Sequence, residues 1–521
     1  MRLRRGTRET TDERMAPDVQ GHPRRVVVRA PRRSHVWAGS RAPFVCLLLA
    51  VVLLTRLPSF VRPFWNPDEG YLATEARMLG HGGTLYVDVV DRKPPLLPWL
   101  YQGAFALFGS DSLWPLRVLA VVATLVTALL VASVARRRWG AGTVAGVLTA
   151  LLSVSLAPED AQAATFEVFM LPATAAAFWC ADRGRWLGAG LAVALAAMVK
   201  QTGGVVLLPV LFLLWRTDRR PAALTRLLLA FVVPVAGLAL LTGPGNFLFW
   251  VVSGSGDYAS LDGAWATALG RAGGNAAILL AAAVPALILL TRQLRASLRA
   301  SLREDADLWL WLGGSAVGVA VGFHFFGHYY LQLVPPLALL CASALHRAGS
   351  PRWTRAALAW TAVAAAVFVT LGLTVSTQPV RRVQAVARAV DANSTPDQSV
   401  LVWGMHPEIY WLADRAPASR YLTAGLLTNF AGGRDGKGVS VQRAVAGSWA
   451  TFEREMRDHP PALVVDDSQG APYAPAAVPP IRDLLAARYE RIGAVGGAVL
   501  YRLRARQPVI RLKSSQVRMR G

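Results

Sequence analysis

At 521 residues, with 54% hydrophobic content and a mean hydropathy of +0.37, the chain is too apolar for an ordinary soluble globule, and its apolar residues fall in long runs. The formal charge of +23 comes from arginines clustered in short loops between those runs rather than along one groove, which argues against a nucleic-acid surface and for topology signals in a multi-pass membrane protein. Cys46, Cys180 and Cys341 all fall inside apolar runs with no metal-ligand spacing and read as small core residues, without bearing on redox compartment.

Residues 1–41 are basic, rich in Arg and Pro, and lack an apolar period, so they read as a disordered cytoplasmic arm. Met1 and Met15 both stand as starts. The run FVCLLLAVVLL that follows has no small-residue cleavage site behind it and is expected to stay as an uncleaved first span. Apolar runs predict spans near 42–58, 114–135, 141–157, 164–181, 185–199, 202–216, 223–243, 273–291, 308–326, 329–346 and 354–376, about eleven in all. With the N-terminus inside, ARRRWG, DRGRW, WRTDRRPAALTR, TRQLRASLRASLRED and HRAGSPRWTR all become cytoplasmic loops, as the positive-inside bias demands. The opposite, extracytoplasmic side then carries the 59–113 loop, APEDAQAA, the Lys200 turn, the 243–274 loop, the FHFFGHYY turn and everything beyond 377.

Residues 378–505 change character. Helical patterns (VRRVQAVARAVDA, PEIYWLAD, VQRAVAGSWATFEREMRDH, IRDLLAARY) alternate with strand-like runs (SVLVWG, ALVVDD, AVLYRL), which predicts a small extracytoplasmic α/β domain. The last segment, 506–521, reads as a flexible basic tail. GAVGG at 493–497 precedes a terminal strand rather than joining a strand to a helix, so a nucleotide fold is not expected.

The first loop, FWNPDEGYLATEARMLGHGGTLYVDVVDRKPPLLPWL, pools acids, bases, aromatics and prolines where a plain connector needs none. Asp68 and Glu69 follow Pro67 at the start of a short amphipathic helix, and Asp68 either caps that helix or serves a site. Arg92, Lys93, Pro94 and Pro95 bring cations back toward the carboxylates. On the same side lie Glu159, Asp160 and Glu167, Lys200 with Gln201, and His324, His328, Tyr329 and Tyr330. Each has a plainer reading, as loop solvation, snorkelling or interfacial anchoring. Together, ionisable groups at the hydrocarbon boundary argue for a polar cavity, because unpaired charges there cost several kcal/mol. Such a cavity suits an anionic lipid-linked substrate: Lys and Arg neutralise a phosphate, His and Tyr donate to its oxygens, and a carboxylate takes a proton from an attacking hydroxyl.

PDEGYLATEARMLG followed by DRKPPLLPWLYQGAFALFG resembles the first-loop signature of the GT-C polyprenyl-phosphate-sugar transferases, and within them the bacterial members of glycosyltransferase family 39, related to protein O-mannosyltransferases and lipid A aminoarabinose transferases. TFEVFMLP, MVKQTGGVVLLP and GHYYLQLVPPLALL resemble later family segments, so the likeness covers most of 42–346. It implies a mainly α multi-span fold, outward catalytic loops and inverting sugar transfer. By the same resemblance Asp68 is the catalytic acid with Glu69 its partner, Lys93 contacts the donor phosphate, and Glu167 and the Gly327, His328, Tyr329 turn are carried over with them; the charges themselves add Arg92 and Lys200 to the phosphate-binding set. Glu167, Glu159 and Asp160 form a secondary acidic, acceptor-side set. Arg92 stands where lipid A transferases tend to carry a metal-holding acid, so no metal and no cofactor beyond the lipid-linked donor is expected. The implied partners are a polyprenyl-phosphate sugar, membrane lipid and an acceptor hydroxyl, with no nucleic acid. A transporter or flippase of a lipid-linked or anionic solute is the alternative, set back by the one-sided charges and the lack of repeated halves.

Overall fold

The computed structural model describes residues 42–254, 258, 260, 262–431 and 433–505. The basic arm expected over 1–41 and the tail expected over 506–521 lie outside them. The longer helices in chain order are α1 (Ala42–Thr55), α2 (Pro67–Gly80), α3 (Leu96–Phe108), α4 (Trp114–Trp139), α5 (Gly142–Leu152), α6 (Phe166–Ala181), α7 (Trp186–Val199), α8 (Leu207–Thr217) and α9 (Pro221–Leu241). They continue with α10 (Trp265–Ala282), α11 (Val284–Ala296), α12 (Ala306–Ala320), α13 (Val334–Ala348) and α14 (Pro351–Thr374).

Every predicted apolar run falls on helix, but the count of eleven spans is not reached. By length and composition, four segments among the described residues are long and apolar enough to cross a membrane: Trp114–Trp139, Pro221–Leu241, Gly327–Ala348 and Pro351–Ala392. A fifth is the pair α10 and α11, which bends by 92° between them. The run predicted at 273–291 is therefore not one straight helix. Pro285 lies in the first turn of α11, and a ring without an N–H starts a helix readily but removes a hydrogen bond and bends the chain inside one. Several other runs, including α1, α5, α6 and α7, form apolar helices of only 10–17 residues, because polar turns such as MVKQTGG interrupt them. Cys341 is buried and Cys180 half-buried, whereas Cys46 faces outward, against its expected place in the core.

The 59–113 loop is also more ordered than its sequence suggested, since it carries both α2 and the apolar α3. Asn66 accepts from the Glu69 amide at 3.2 Å and caps α2, with Pro67 in the first turn. Asp68 is thus not the cap, and its carboxylate is left for other partners.

Beyond α14, α15 (Gln378–Ala392) buries Val380, Val383, Val386, Ala387 and Val390, the three-to-four spacing of one apolar stripe. The strands β1 (Ser399–Trp403), β2 (Ala416–Pro417), β3 (Leu463–Asp466), β4 (Tyr489–Val495) and β5 (Ala498–Leu503) form one sheet in the order β2-β1-β3-β5-β4. β1 runs parallel to β2 and β3, and β5 antiparallel to β3 and β4. The three predicted strands are β1, β3 and β5. β4 went unseen, and the GAVGG segment is its end together with the hairpin turn, where Gly496 and Gly497 take positive φ. Helices α16 (Glu408–Ala413), α17 (Ser448–Asp458) and α18 (Pro479–Arg488) complete the domain. Of the predicted stretch VQRAVAGSWATFEREMRDH only the second half is α-helix, because Gly447 adopts a left-handed conformation and starts α17 there.

This domain docks on α2 through α16. Thr74 Oγ1 donates to the Pro407 carbonyl at 2.9 Å, Arg77 Nη1 to the Trp411 carbonyl at 3.2 Å, and Arg77 pairs with Asp414. Trp411 Nε1 donates to the Ser110 carbonyl at 2.6 Å, behind α3. Gly70 packs so tightly on Glu408 that an added Cβ would collide with the Glu408 side chain and backbone. Glu408 is itself fully buried with neither carboxylate oxygen bonded, and burial pushes its carboxyl up to about 7. Beside it, Asp467 accepts from His406 Nδ1 at 2.6 Å and pairs with Arg382; burial lowers His406, but its bond to Asp467 and the neighbouring Glu408 outweigh this and raise it.

Two consequences can be measured by thermal unfolding of the purified protein. Gly70→Val should cost about 1–3 kcal/mol through overpacking of the junction. Between about pH 5 and pH 7 the unfolded chain releases the Glu408 proton while the folded chain keeps it, so stability falls with rising pH. His406, raised above its unfolded value, adds in the same direction as pH climbs through its folded range. Glu408→Gln should flatten this fall and raise stability above pH 7 by about 1–3 kcal/mol; an unchanged profile would refute the assignment.

Candidate active site

Helix α2 presents three faces. Glu69 points into the bundle, where it is fully buried. Its Oε1 accepts from the Ala164 amide at 2.8 Å, and its Oε2 from the Trp65 amide at 2.6 Å and Arg117 Nη2 at 3.3 Å. Arg117, from the first turn of α4, also donates to the Ser59, Arg62 and Pro63 carbonyls. Glu69, expected as a catalytic partner of Asp68, is instead the buried anchor of the loop. Its oxygens are saturated by backbone amides and a guanidinium. The second face, Gly70, Thr74 and Arg77, carries the C-terminal domain.

Asp68 lies on the third face. Its Oδ1 is 3.8 Å from Lys93 Nζ and its Oδ2 is 3.7 Å from His328 Nε2. Burial alone would raise its carboxyl, but Lys93, His328 and Lys200 outweigh that and hold it below the usual carboxylate range. Lys93 shows the reciprocal effect: burial lowers the ammonium, yet Asp68 and Asp91 more than compensate and keep it protonated beyond its ordinary range. The Lys93 ammonium also sits 4.2 Å from the centre of the Phe166 ring.

The backbone that delivers Lys93 is fixed from both sides. Tyr86 donates its hydroxyl to the Lys93 carbonyl at 2.7 Å, and Tyr71, one turn along α2 from Asp68, donates to the Val90 carbonyl at 2.6 Å. Tyr86 itself has φ +68°, held by its amide bond to the Val89 carbonyl at 2.7 Å. Arg92 diverges from the site expected for it. Its guanidinium lies 4.6 Å from the Tyr258 ring centre and donates to the Gly254 carbonyl, while its own carbonyl accepts from Gln201 Nε2 at 2.6 Å. Arg92 thus meets Tyr258 and Gly254, while Lys93 meets Asp68 and Phe166.

The remaining expected groups arrive in pairs. Lys200 pairs with the buried Glu167 and lies 3.9 Å from the centre of the Tyr329 ring. Asp160 Oδ1 accepts from both the His328 amide at 3.0 Å and His328 Nδ1 at 2.7 Å, which turns Nε2 toward Asp68. A Cβ at Gly327 would collide with the Asp160 carboxylate, so this turn needs glycine. Glu159 stays out: its side chain is exposed and only its carbonyl is used, by Asn66 Nδ2 at 3.0 Å. Tyr330 donates to the Ala272 carbonyl and is structural. His324 is buried; desolvation first, then Arg434 and Arg271, push it down to about 4, so it is neutral.

Sequence reasoning missed four contributors. Arg117 carried a signal, a cation inside a predicted span. Glu75 lies seven residues from Asp68, two helical turns along the same face, and is fully buried with both oxygens unbonded; burial and then Asp91 raise its carboxyl well above the usual range. Phe166 and Tyr258 gave no local signal. Among the described residues no three His, Cys, Asp or Glu side chains converge as a metal ligand set.

Residues 92–242 match the family model described as dolichyl-phosphate-mannose-protein mannosyltransferase. The whole fold is that of ArnT from Cupriavidus metallidurans: the apo crystal structure aligns with TM-score 0.59 at 16% identity, over 89% of this chain and 98% of that one. The chain thus resembles that mannosyltransferase family over residues 92–242 and shares the ArnT fold. A second crystal structure of the same ArnT, bound to undecaprenyl phosphate, aligns with TM-score 0.58 at 16% identity over the same shares of the two chains. The apo oligosaccharyltransferase of Archaeoglobus fulgidus aligns with TM-score 0.50 at 13% identity over 87% of this chain and 73% of its own. No curated protein matches significantly. The family match begins at Arg92, beyond Asp68, so the acid of the first loop rests on geometry and not on that match.

Tyr86→Phe removes one of the two hydroxyls that hold the Lys93 backbone. A hydrogen bond of this kind is worth about 1 kcal/mol, so kcat/KM for glycosyl transfer should fall about fivefold with little change in unfolding temperature; equal activity would show that Lys93 is fixed by other contacts.

Proposed function

We propose that this protein is a GT-C glycosyltransferase that moves a sugar from a polyprenyl-phosphate donor to an acceptor hydroxyl at the extracytoplasmic face of the cell membrane, by a single inverting displacement. The observation that carries the reading is one carboxylate, Asp68, set between Lys93 at 3.8 Å and His328 at 3.7 Å. The ArnT of similar fold was crystallised with undecaprenyl phosphate, which supports a lipid phosphate as the donor's carrier. The orientation follows the arginine loops, which put the Asp68 end of the bundle outside and the N-terminus in the cytoplasm.

In this reading Lys93 and Lys200 neutralise the donor phosphate and His328 donates to an oxygen of it through Nε2, its direction fixed by Asp160. The acceptor oxygen attacks the anomeric carbon from the face opposite the phosphate, and its proton passes to Asp68. The bond from carbon to phosphate oxygen breaks as the new glycosidic bond forms, and the electron pair leaves with the polyprenyl phosphate. Asp68 is a poor base while Lys93 and His328 stabilise its charge. A bound phosphate draws on the same cations, which raises the proton affinity of Asp68 when the donor is in place. Glu167 balances Lys200, and Arg92 and Tyr258 wall the site. No metal and no further cofactor enters the scheme.

Asp68→Asn keeps the shape and removes the base. Transfer in membranes from a strain lacking the native gene should drop by about 100-fold or more, with protein levels unchanged and binding of polyprenyl phosphate retained. Full activity would end the proposal. Mass comparison of envelope glycolipids and glycoproteins between deletion strain and parent would identify the acceptor.

A further inference from the structure

A second polar cavity, of about 730 Å³, lies at the other end of the helical bundle. Four helices define that separation. α4 runs from Arg117, beside Glu69, to Arg138 at the cavity, roughly 30 Å at about 1.5 Å per residue. α6 runs from Glu167 to the cavity at Ala181, while α7 leaves the cavity at Trp186 and ends beside Lys200. α8 returns to it at Arg216 and Thr217. The distance is about one hydrocarbon core, so the two cavities belong to opposite membrane surfaces.

The lining includes Arg137, Arg138, Arg183, Arg216, Arg219 and Arg220. Their acids do not balance them. Asp182, nearly buried, is shared by Arg137 at 3.2 Å, Arg138 at 2.8 Å and Arg183 at 3.4 Å, and Arg138 also pairs with the buried Asp307 at 2.6 Å. Asp218 is taken by Arg220 at 2.8 Å and by Trp186 Nε1 at 3.0 Å. Glu304 and Asp305 already pair with Arg347 of α13. Arg216 and Arg219 have no carboxylate partner among the described residues, and Arg219 lies 5.1 Å from the Trp215 ring centre. A guanidinium cluster of two half-buried and four exposed groups, short of acids, is complementary to a phosphate diester.

The rim adds a second, independent feature. Trp139 and Trp186 line the cavity and Trp215 is 57% exposed beside it, the placement of aromatic side chains at a headgroup layer. From Trp186 the outward ridge Leu187, Leu191 and Leu195, at 57%, 48% and 51% exposure, runs along α7 with four-residue spacing away from the arginines. A charged pocket with an exposed apolar ridge on one of its helices fits an amphiphile, with its phosphate among the guanidinium groups and its acyl chains along the leucines.

We propose that this cavity is a binding site for an acidic phospholipid headgroup on the membrane surface opposite the Asp68 site. The site is made by α4, α6, α7 and α8, and the far ends of α4, α6 and α7 bring Arg117, Glu167 and Lys200 to the Asp68 side, so an occupant braces the same scaffold.

The test uses the full chain in nanodiscs of phosphatidylcholine doped with phosphatidylglycerol, with bound lipid counted by native mass spectrometry and stability by thermal unfolding. Wild type should retain phosphatidylglycerol over phosphatidylcholine and unfold at a higher temperature with it. Arg216→Gln with Arg219→Gln should weaken that retention by roughly tenfold, Arg216→Lys with Arg219→Lys should keep most of it, and Asp68→Asn should leave it intact. Equal retention in the double glutamine variant, or no preference over phosphatidylcholine, overturns the proposal. So does stabilisation by inorganic phosphate in pure phosphatidylcholine discs that matches the effect of phosphatidylglycerol, because the site then takes free phosphate rather than lipid.

Discussion

The buried pair of Glu69 and Arg117 is the constraint on which the first loop depends. A carboxylate and a guanidinium taken out of water destabilise a fold unless their remaining hydrogen-bonding capacity is used, and loss of one partner costs roughly 3–5 kcal/mol. Here the capacity is used on backbone: Glu69 binds the Trp65 and Ala164 amides, and Arg117 binds three carbonyls between Ser59 and Pro63. One ion pair therefore fixes the entry to α2, the start of α4 and the turn before α6. Ser59 Oγ, which donates to the Gln162 side chain at 2.7 Å, and Gln162 Nε2, which donates to the Thr55 carbonyl at 3.0 Å, extend the same network to α1. With α2 locked on that face, its other two faces are presented in fixed directions, Asp68 toward Lys93 and Gly70 toward the C-terminal domain.

Charge compensation is the second organising feature. Each cation of the site rests on an acid before any substrate arrives: Lys93 on Asp68, Lys200 on Glu167, His328 on Asp160 and Asp68. A phosphate that enters such a site exchanges one set of counter-charges for another rather than meeting bare cations. The exchange couples donor binding to the basicity of Asp68, because the groups that hold its proton affinity down are those a phosphate would engage. The unbonded carboxyls of Glu75 and Glu408 mark the other extreme. Burial first, and then Asp91 for Glu75, raises both carboxyls above the usual carboxylate range.

The C-terminal domain does not stand apart from this machinery. α16 packs on the helix that bears Asp68, and the His406, Asp467 and Arg382 cluster lies directly behind the contact. Small glycines make the approach: Gly70 against Glu408, and Gly327 against Asp160. Both are positions where one extra carbon would separate elements that must touch.

Several features were legible in the sequence because they are local. Apolar runs gave the helices, the period of α15 its buried stripe, and short apolar runs β1, β3 and β5. The unusual pooling of charge and proline in the first loop gave Asp68 and Lys93. The sequence could not say which of two adjacent acids faces the site, since Asp68 and Glu69 differ by 100° around a helix whose orientation is set by Arg117, far along the chain. Nor could it separate Arg92 from Lys93, whose different partners, Tyr258 and Gly254 for one and Asp68 and Phe166 for the other, lie elsewhere along the chain. The break at Ala283, the number of segments long enough to span, and the partners of each buried charge were likewise decided only by packing, because they depend on which residues meet and not on which residues are neighbours in the chain.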